Sequence, residues 1–210
     1  MRKGVVGSMP VVLRTMWQVA GPRGFAAAVR LRMRSTIEFV RLGVDLQAWE
    51  PIVPAPSVEV RSGLEELERL RRTRRLPPQF YLDRLRGARR PYLGFVDGEI
   101  GHISWLFTPG AGRRLLPLQP DEVELDGAFT LPQARGRALL TAVESAMLVD
   151  ARSEGYLRAF THVAVDNIAS LRGVRKTGFT PVGVVTLRWI LGLSFVSFSA
   201  DQPLPTVKAT

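Results

Sequence analysis

The stretch that decides the fold is Leu125 to Met147, which reads LDGAFTLPQARGRALLTAVESAM. A strand-like run ends at Leu131, a turn containing Gly136 follows, and a long helix with an apolar side begins. The first amides of a helix lack intrahelical acceptors and carry a partial positive charge, so this junction is a candidate anion site. Gly136 lets a phosphate approach the backbone closely, because it has no Cβ. Arg135 and Arg137 add positive charge beside the turn.

The alternative for this stretch is an ordinary strand-to-helix turn whose Arg side chains face water. Two better-known phosphate loops are excluded, since the chain has no G-x-x-x-x-G-K-[ST] and no complete G-x-G-x-x-G at a strand end. Physical chemistry alone therefore predicts an anion site without identifying the anion.

Outward from this stretch, hydrophobic periodicity and turn residues predict the other elements. We predict a helix from Pro22 to about Phe39, a first strand within 40–49, a strand at 58–61, helices at 63–75 and 77–87, a hairpin of 92–96 and 99–107 around Asp97-Gly98, a strand at 122–131, a long helix at 132–153, a strand at 157–165, a helix at 167–177 and a strand at 181–191. This order predicts an α+β fold with a mixed sheet and one parallel crossover.

The chain of 210 residues suits one domain with a short extension. We predict a basic helical extension at 1–37, the domain at 38–198 and a flexible tail at 199–210. The apolar segment 181–200 favours strands over a membrane-spanning helix, because Arg188 interrupts it and Val, Thr and Phe are frequent in it. The N-terminus lacks the long apolar core of a secretory signal.

Cysteine is absent and only two histidines are present, so neither a disulfide framework, a cysteine nucleophile nor a metal site is predicted. A chain without cysteine is compatible with a reducing compartment, and we predict a cytoplasmic location.

The net charge of +10 attracts phosphates, anionic lipid and nucleic acid. The run RLRRTRR at 69–75 has no aromatic residue for base stacking, so nucleic acid is not the expected partner. The basic N-terminal segment allows peripheral contact with a membrane or a partner, and a packed helix with Arg heads in water is the alternative. Residues 91–130 differ, with six carboxylates against two Arg, which favours a cationic ligand there.

Two motifs together resemble the GNAT superfamily of N-acetyltransferases. The hexapeptide Gln133-Ala134-Arg135-Gly136-Arg137-Ala138 is similar to its acyl-CoA signature, [Q/R]-x-x-G-x-[G/A], and Pro132 precedes it as it often does in the family. About thirty residues later, DNIASLRGVRKTGF resembles N-x-x-[A/S]-x-x-x-Y-x-K-x-G-F, with matches at Asn167, Ser170, Lys176, Gly178 and Phe179. The resemblance covers roughly 92–191, and residues 1–37 lie outside it.

The resemblance implies a GNAT-like mixed β-sheet flanked by helices, here with a helical N-terminal extension. It implies transfer of an acyl group, normally acetyl from acetyl-CoA, to the amine of a small molecule or a protein. It assigns the pyrophosphate to the backbone amides of Arg135, Gly136, Arg137 and Ala138, and it places Gln133 in the same co-substrate site. The backbone of Phe129, Thr130 and Leu131 would run beside the pantetheine arm, which would lie in a gap between two splayed strands. Asn167 would contact that arm or cap a helix.

One position departs from the family pattern. Val174 stands where many members have the Tyr that protonates the leaving thiolate, and its apolar stripe with Ile168 and Leu171 suggests core packing. Another group or water would then supply that proton, or the chain binds acyl-CoA without catalysis. A basic protein that binds a partner, a membrane surface or nucleic acid is the third function considered.

An amine is cationic at neutral pH, so its attack on a thioester needs a base. Glu122, Glu124 and Asp126 alternate along one strand and share a face. We predict Glu124 as the base, directly or through water, and Asp126 as the second catalytic candidate; the alternative is the polar face of a half-buried strand. His102 and His162 are weaker candidates.

Overall fold

A computed structural model describes residues 34–112, 114–190 and 193–200 of the chain. Within them the elements are β1 (Arg34–Asp45), β2 (Val58–Ser62), α1 (Leu64–Thr73), a 3₁₀ turn (Pro78–Tyr81), α2 (Leu82–Arg86), β3 (Arg90–Val96), β4 (Glu99–Phe107), β5 (Glu122–Thr130), a second 3₁₀ turn (Pro132–Ala134), α3 (Leu139–Ser153), β6 (Arg158–Ala164), α4 (Ile168–Lys176), β7 (Thr180–Ile190) and β8 (Leu193–Ser199). The predicted α+β fold with a mixed sheet is confirmed.

The eight strands form one sheet in the order β2-β3-β4-β5-β6-β1-β7-β8. Only β5 and β6 are parallel neighbours, and α3 makes the crossover between them. All other neighbouring strands in the described part of the chain are antiparallel. The N-terminal strand β1 lies between β6 and β7, so it joins the centre of the sheet rather than its edge.

Helices cover the two faces of the sheet unequally. On one face α3 and α4 pack against inward side chains of the central strands, such as Val123 and Leu125 of β5. On the opposite face α1, the first 3₁₀ turn and α2 pack over β3 and β4. We call this opposite side the front face; across β5, β6 and β1 it carries Glu122, Glu124, Phe160, His162 and Arg41.

The hairpin predicted around Asp97-Gly98 is confirmed. Asp97 has φ 52° and Gly98 has φ 79°, so both turn residues adopt the left-handed conformation of a two-residue hairpin turn. The two strands that this turn joins, β3 and β4, contribute buried side chains to the packing on both faces of the sheet.

The predicted N-terminal helix is wrong over 34–39, which belong to β1; its remainder, 22–33, lies outside the described residues. Residues 35–40 read Ser-Thr-Ile-Glu-Phe-Val, and their β-branched and aromatic side chains favour a strand. The first strand was expected at 40–49 and ends instead at Asp45. Strand β1 thus includes residues 34–37, which precede the predicted domain start at residue 38.

Two further elements differ from prediction. The long helix begins at Leu139 and not at 132, because Gly136 and Ala138 have left-handed φ values of 79° and 54° that no α-helix continues through. Strand β8 was not predicted as a separate element; it pairs with β7 and has exposed side chains along its length. Among the described residues, no helix is both long and apolar enough to cross a membrane.

A buried carboxyl group links α3 to the end of α4. Glu144 is 1% exposed and accepts a hydrogen bond from the Thr177 hydroxyl at 2.7 Å. Burial raises the pKa of the Glu144 carboxyl to about 7, although the hydrogen bond from Thr177 acts to lower it. A carboxyl group in the unfolded chain ionises near pH 4.5.

This raised pKa makes stability fall as pH rises. Below about pH 4.5 the group is neutral in both states, whereas between about 4.5 and 7 only the unfolded chain ionises, which costs up to roughly 3 kcal/mol. Glu144→Gln is therefore expected to raise the free energy of unfolding at pH 8 and to leave it nearly unchanged at pH 4. Urea denaturation at both pH values tests this, and an equal difference at both would contradict it.

Candidate functional site

The central feature of the site is a split between two parallel strands. Strands β5 and β6 pair from Glu122↔Arg158 to Leu125↔Thr161, and no pairing follows although both strands continue. Beyond Leu125, β5 bonds only with β4, while β6 remains paired with β1 as far as Ala164. The backbone edges that face each other across the split are therefore free to bond an extended ligand, as a neighbouring strand would.

A bulge in β5 accompanies this split. Between Ile103 and Trp105, β4 advances two residues while β5 advances three, from Phe129 to Asp126. The extra residue falls beside Gly127, whose φ of 68° favours glycine. A Cβ at Gly127 would also collide with the Leu82 side chain of α2. A bulge bends the strand that carries it, and this one follows closely after Leu125, where the pairing of β5 with β6 ends.

The turn after β5 presents a row of backbone amides. Pro132–Ala134 form a 3₁₀ turn, residues 135–138 follow, and α3 begins at Leu139 without a side-chain cap. No described residue accepts a hydrogen bond from the amides of 136–141, whereas the next amide, of Ala142, bonds the Ala138 carbonyl. Amides without acceptors at a helix start are a candidate site for an anion with several oxygens.

Gly136 leaves the approach to these amides open. A Cβ built on Gly136 would meet no protein atom within 4 Å. Arg135 and Arg137 are both exposed beside it, and Arg137 forms a 3.1 Å ion pair with Asp97 of the β3–β4 hairpin. Arg135 has no ion-pair partner among the described residues and is free to meet an anion.

A buried histidine fixes the end of β5 beneath this turn. His102 of β4 is fully buried, with Nδ1 2.8 Å from the Thr130 hydroxyl and Nε2 2.9 Å from the Ser104 hydroxyl. Burial lowers the pKa of His102 to about 3, so the ring is neutral at physiological pH. The Leu131 amide donates to the Gly101 carbonyl at 2.8 Å. His102 thus holds the strand end, which is a structural role.

The second motif, which runs from Asn167 to Phe179, spans α4 and both of its ends. Asn167 is the N-cap, with its side-chain oxygen accepting from the Ser170 amide at 3.2 Å, which favours the capping alternative for this residue. Val174 is 1% exposed in the core between the sheet and its helices, so its predicted core packing is confirmed. A side chain at that position supplies no proton.

Glu124 and His162 meet on the front face, one residue before the split. Glu124 Oε1 lies 3.4 Å from His162 Nδ1, and the two side chains are 1% and 3% exposed. Neither side chain makes a hydrogen bond within the described structure, so four buried polar atoms lack a partner. Buried polar atoms without partners are rare and destabilising, and a ligand that bonds them removes this cost.

The other two carboxylates of β5 are already engaged. Glu122 forms a 3.1 Å ion pair with Arg158 and accepts the Gln119 amide at 3.0 Å. Asp126 forms a short ion pair with Arg86 of α2. Glu124 is therefore the carboxylate of the three that is free to take a proton from a ligand.

His162 is only a weak candidate in the sequence, and nothing in the sequence marks Arg41 as a site residue. The strand register puts both residues on the front face with Glu124: Arg41 lies opposite His162, and Glu124 lies opposite Phe160. The two-residue spacing of Phe160 and His162 along β6 indicates that they share a face, but one sequence does not show which strands pair with β6.

No protein-family model matches the sequence, and no curated protein is significantly similar to it. A glucosamine N-acetyltransferase region of a fungal multi-domain β-N-acetylglucosaminidase has a similar structure, with a TM-score of 0.53 and 12% identity over 82% of this chain and 23% of its own. A Drosophila protein matches with a TM-score of 0.52 and 12% identity, over 81% of this chain and 56% of its own.

A protein from Novosphingobium aromaticivorans, described as an acetyltransferase of the GNAT family, matches with a TM-score of 0.50 and 15% identity over 79% of this chain and 66% of its own. This chain thus spans less than two thirds of each of these solved chains. At such low identity the likeness concerns the fold, which is that of the GNAT acetyltransferases, as the two motifs implied.

Proposed function

We propose that this chain is an acyl-CoA-dependent N-acyltransferase, which transfers an acetyl group from acetyl-CoA to an amine. The observation that carries the proposal is the split between β5 and β6, together with the six amides of 136–141, in the turn and helix start after β5, that no described residue accepts a bond from. A strand-like arm and a diphosphate at one end of it are the two chemical features that such a site accommodates. Both are parts of an acyl-CoA.

Different residues would bind the two parts of acetyl-CoA. The amides of Gly136 and of the first turn of α3 would hold the pyrophosphate, with Arg135 and Gln133 beside them. The backbone of Phe129–Leu131 would bond the pantetheine arm along the free edge of β5. No metal ion takes part in this proposal, since the amides and Arg135 supply the positive field.

The chemical step needs one base, and Glu124 would be that base. As the amine nitrogen bonds the acyl carbon and the carbon–sulfur bond breaks, the amine proton passes to Glu124, through a water because the side chain is buried. His162, 3.4 Å away, supports the carboxylate in this exchange. The leaving thiolate takes its proton from water, because Val174 has none to give.

A second candidate function is binding of acyl-CoA without catalysis, which the buried Val174 favours. Thiol release from acetyl-CoA over a panel of amines distinguishes the two functions, with calorimetry of acetyl-CoA binding in parallel. Binding with amine-dependent thiol release supports the transferase, and binding without release supports the non-catalytic module. A failure to bind acetyl-CoA contradicts both functions and leaves a basic protein whose ligand is a partner, a membrane surface or nucleic acid.

Contact with a membrane through the N-terminal segment and a cytoplasmic location stay predictions.

The salt dependence of acetyl-CoA binding tests whether Arg135 contacts the phosphates. Arg135→Gln is expected to raise the Kd for acetyl-CoA by up to about fivefold in low salt, the value of an exposed charge pair, and to flatten its salt dependence. Arg72→Gln, at an exposed Arg on α1, is the matched control and should change neither quantity. Equal effects of the two variants would mean that Arg135 does not contact the phosphates.

A further inference from the structure

Arg41 is a cationic side chain of the front face that has no polar partner among the described residues. Among the described residues none forms a hydrogen bond or ion pair with its guanidinium, and its Nε is buried without an acceptor. Two carboxylates lie on the same face, but Glu122 is already paired with Arg158 at 3.1 Å. Burial lowers the pKa of Arg41 although Glu122 and Glu124 act to raise it, so these carboxylates do not fully offset the cost of burying its charge.

The guanidinium of Arg41 is held in place by aromatic packing. Its Cζ lies 3.9 Å from the centre of the Phe160 ring and 5.4 Å from that of Phe198. Gly43 makes room for the Phe160 ring, because a Cβ there would lie 3.0 Å from its nearest ring atom. A guanidinium that contacts a ring through its flat face still has its N–H edges to donate, and these edges suit bidentate binding of a carboxylate.

The position of Arg41 relates it to the proposed base. Arg41 lies opposite His162 on the neighbouring strand, and Glu124 lies on the strand beyond. Two strand spacings, about 10 Å, separate β1 from β5. The charges of Glu122 and Glu124 nevertheless act on the Arg41 guanidinium across this distance. A small molecule could place an amine near Glu124 and an anionic group on Arg41 at the same time.

We propose that Arg41 binds an anionic group, a carboxylate in its simplest form, on the acceptor amine, so that the acceptor is an amine that also carries a negative charge. This inference rests on the proposed transferase function. The N-terminal strand β1, inserted between β6 and β7, would then supply substrate selection to a site built from β5 and β6.

The test uses the full chain and matched acceptor pairs: glycine, β-alanine, 4-aminobutyrate and 5-aminopentanoate, each against its carboxamide. Thiol release from acetyl-CoA gives kcat/KM for each acceptor. We expect the wild-type protein to prefer the carboxylate of at least one pair by about 10- to 100-fold, the value of charge-assisted hydrogen bonds. The chain length that is preferred reports the distance between Arg41 and the reacting nitrogen.

Substitutions of Arg41 test whether this residue causes the preference for carboxylate acceptors. Arg41→Gln should abolish the preference while leaving the Kd for acetyl-CoA unchanged, and Arg41→Lys should retain part of it. Arg188→Gln is the control, because this exposed β7 residue lies opposite Thr36 and therefore on the other face of the sheet. A melting curve confirms that each variant is folded.

The outcomes separate the inference from the function on which it rests. If amines are acylated but the wild-type protein treats carboxylates and carboxamides alike, the inference is wrong and the transferase function stands, whether or not the Arg41 variants fold. A carboxylate preference that survives in folded Arg41→Gln also overturns it. If no amine releases thiol, the transferase function itself has failed.

Discussion

Replacing Glu124 by Gln is expected to lower turnover by about 10²–10⁴-fold, the usual contribution of a general base. The substitution keeps the size of the side chain and removes its basic site. It should cost little stability, because the Glu124 oxygens make no hydrogen bond in the described structure. The Kd for acetyl-CoA should stay near the wild-type value, since the proposed phosphate and pantetheine contacts lie beyond this residue.

Two neighbours on β5 provide matched controls for Glu124→Gln. Glu122→Gln and Asp126→Asn remove the same charge from carboxylates paired with Arg158 and Arg86, so they should reduce stability more than turnover. The defect of Glu124→Gln should shrink at high pH, where more of the amine is already deprotonated. Equal small losses in all three variants would indicate electrostatic attraction of the acceptor, and unchanged turnover in Glu124→Gln would mean that the base is elsewhere.

Replacing Gly136 by Val is expected to weaken acetyl-CoA binding by about 10²-fold, comparable to losing one or two hydrogen bonds to a charged group. The new Cβ meets no protein atom within 4 Å, so its branches occupy the open space above the amides where the phosphates would lie. The φ of 79° also disfavours a β-branched residue and tends to turn the amides out of position. Calorimetry with acetyl-CoA measures the change in Kd.

The variant Gly155→Val is the control for a general effect of a β-branched residue at a left-handed glycine. Gly155 follows the far end of α3, has φ 89°, and a Cβ added to it would likewise have no atom within 4 Å. Gly155→Val thus introduces similar backbone strain away from the turn, and it should leave the Kd unchanged. If Gly136→Val is folded and binds acetyl-CoA as tightly as Gly155→Val, the turn does not hold the phosphates.

The sequence predicted the part of the fold in which local patterns and tertiary structure agree. The turn at Asp97-Gly98 and the strand before Pro132 each carry their own short-range signal, and each lies where the sequence predicts it. For Asn167 the sequence allowed two roles, a helix cap and a contact with the co-substrate, and the structure shows the cap. The helix start was misplaced because Gly136 and Ala138 interrupt an otherwise helical pattern with left-handed backbone, which residue type alone did not reveal at Ala138.

Non-local pairing could not be read in the same way. Nothing in residues 34–45 indicates that this strand enters the sheet between β6 and β7, more than a hundred residues later in the chain. The carboxylate Glu124 could be selected from its alternation along β5, but its contact with His162 depends on the register of β6. Arg41 became a candidate only once the order of the strands was known.

The most direct test of the central claim is a calorimetric titration of the full chain with acetyl-CoA, repeated with acetylpantetheine, which lacks the pyrophosphate and nucleotide. If the amides of 136–141 hold the pyrophosphate, acetyl-CoA should bind saturably at one site per chain, more weakly as salt is added, and acetylpantetheine should bind far more weakly. Absence of acetyl-CoA binding, or equal affinity for the two compounds, would contradict the claim.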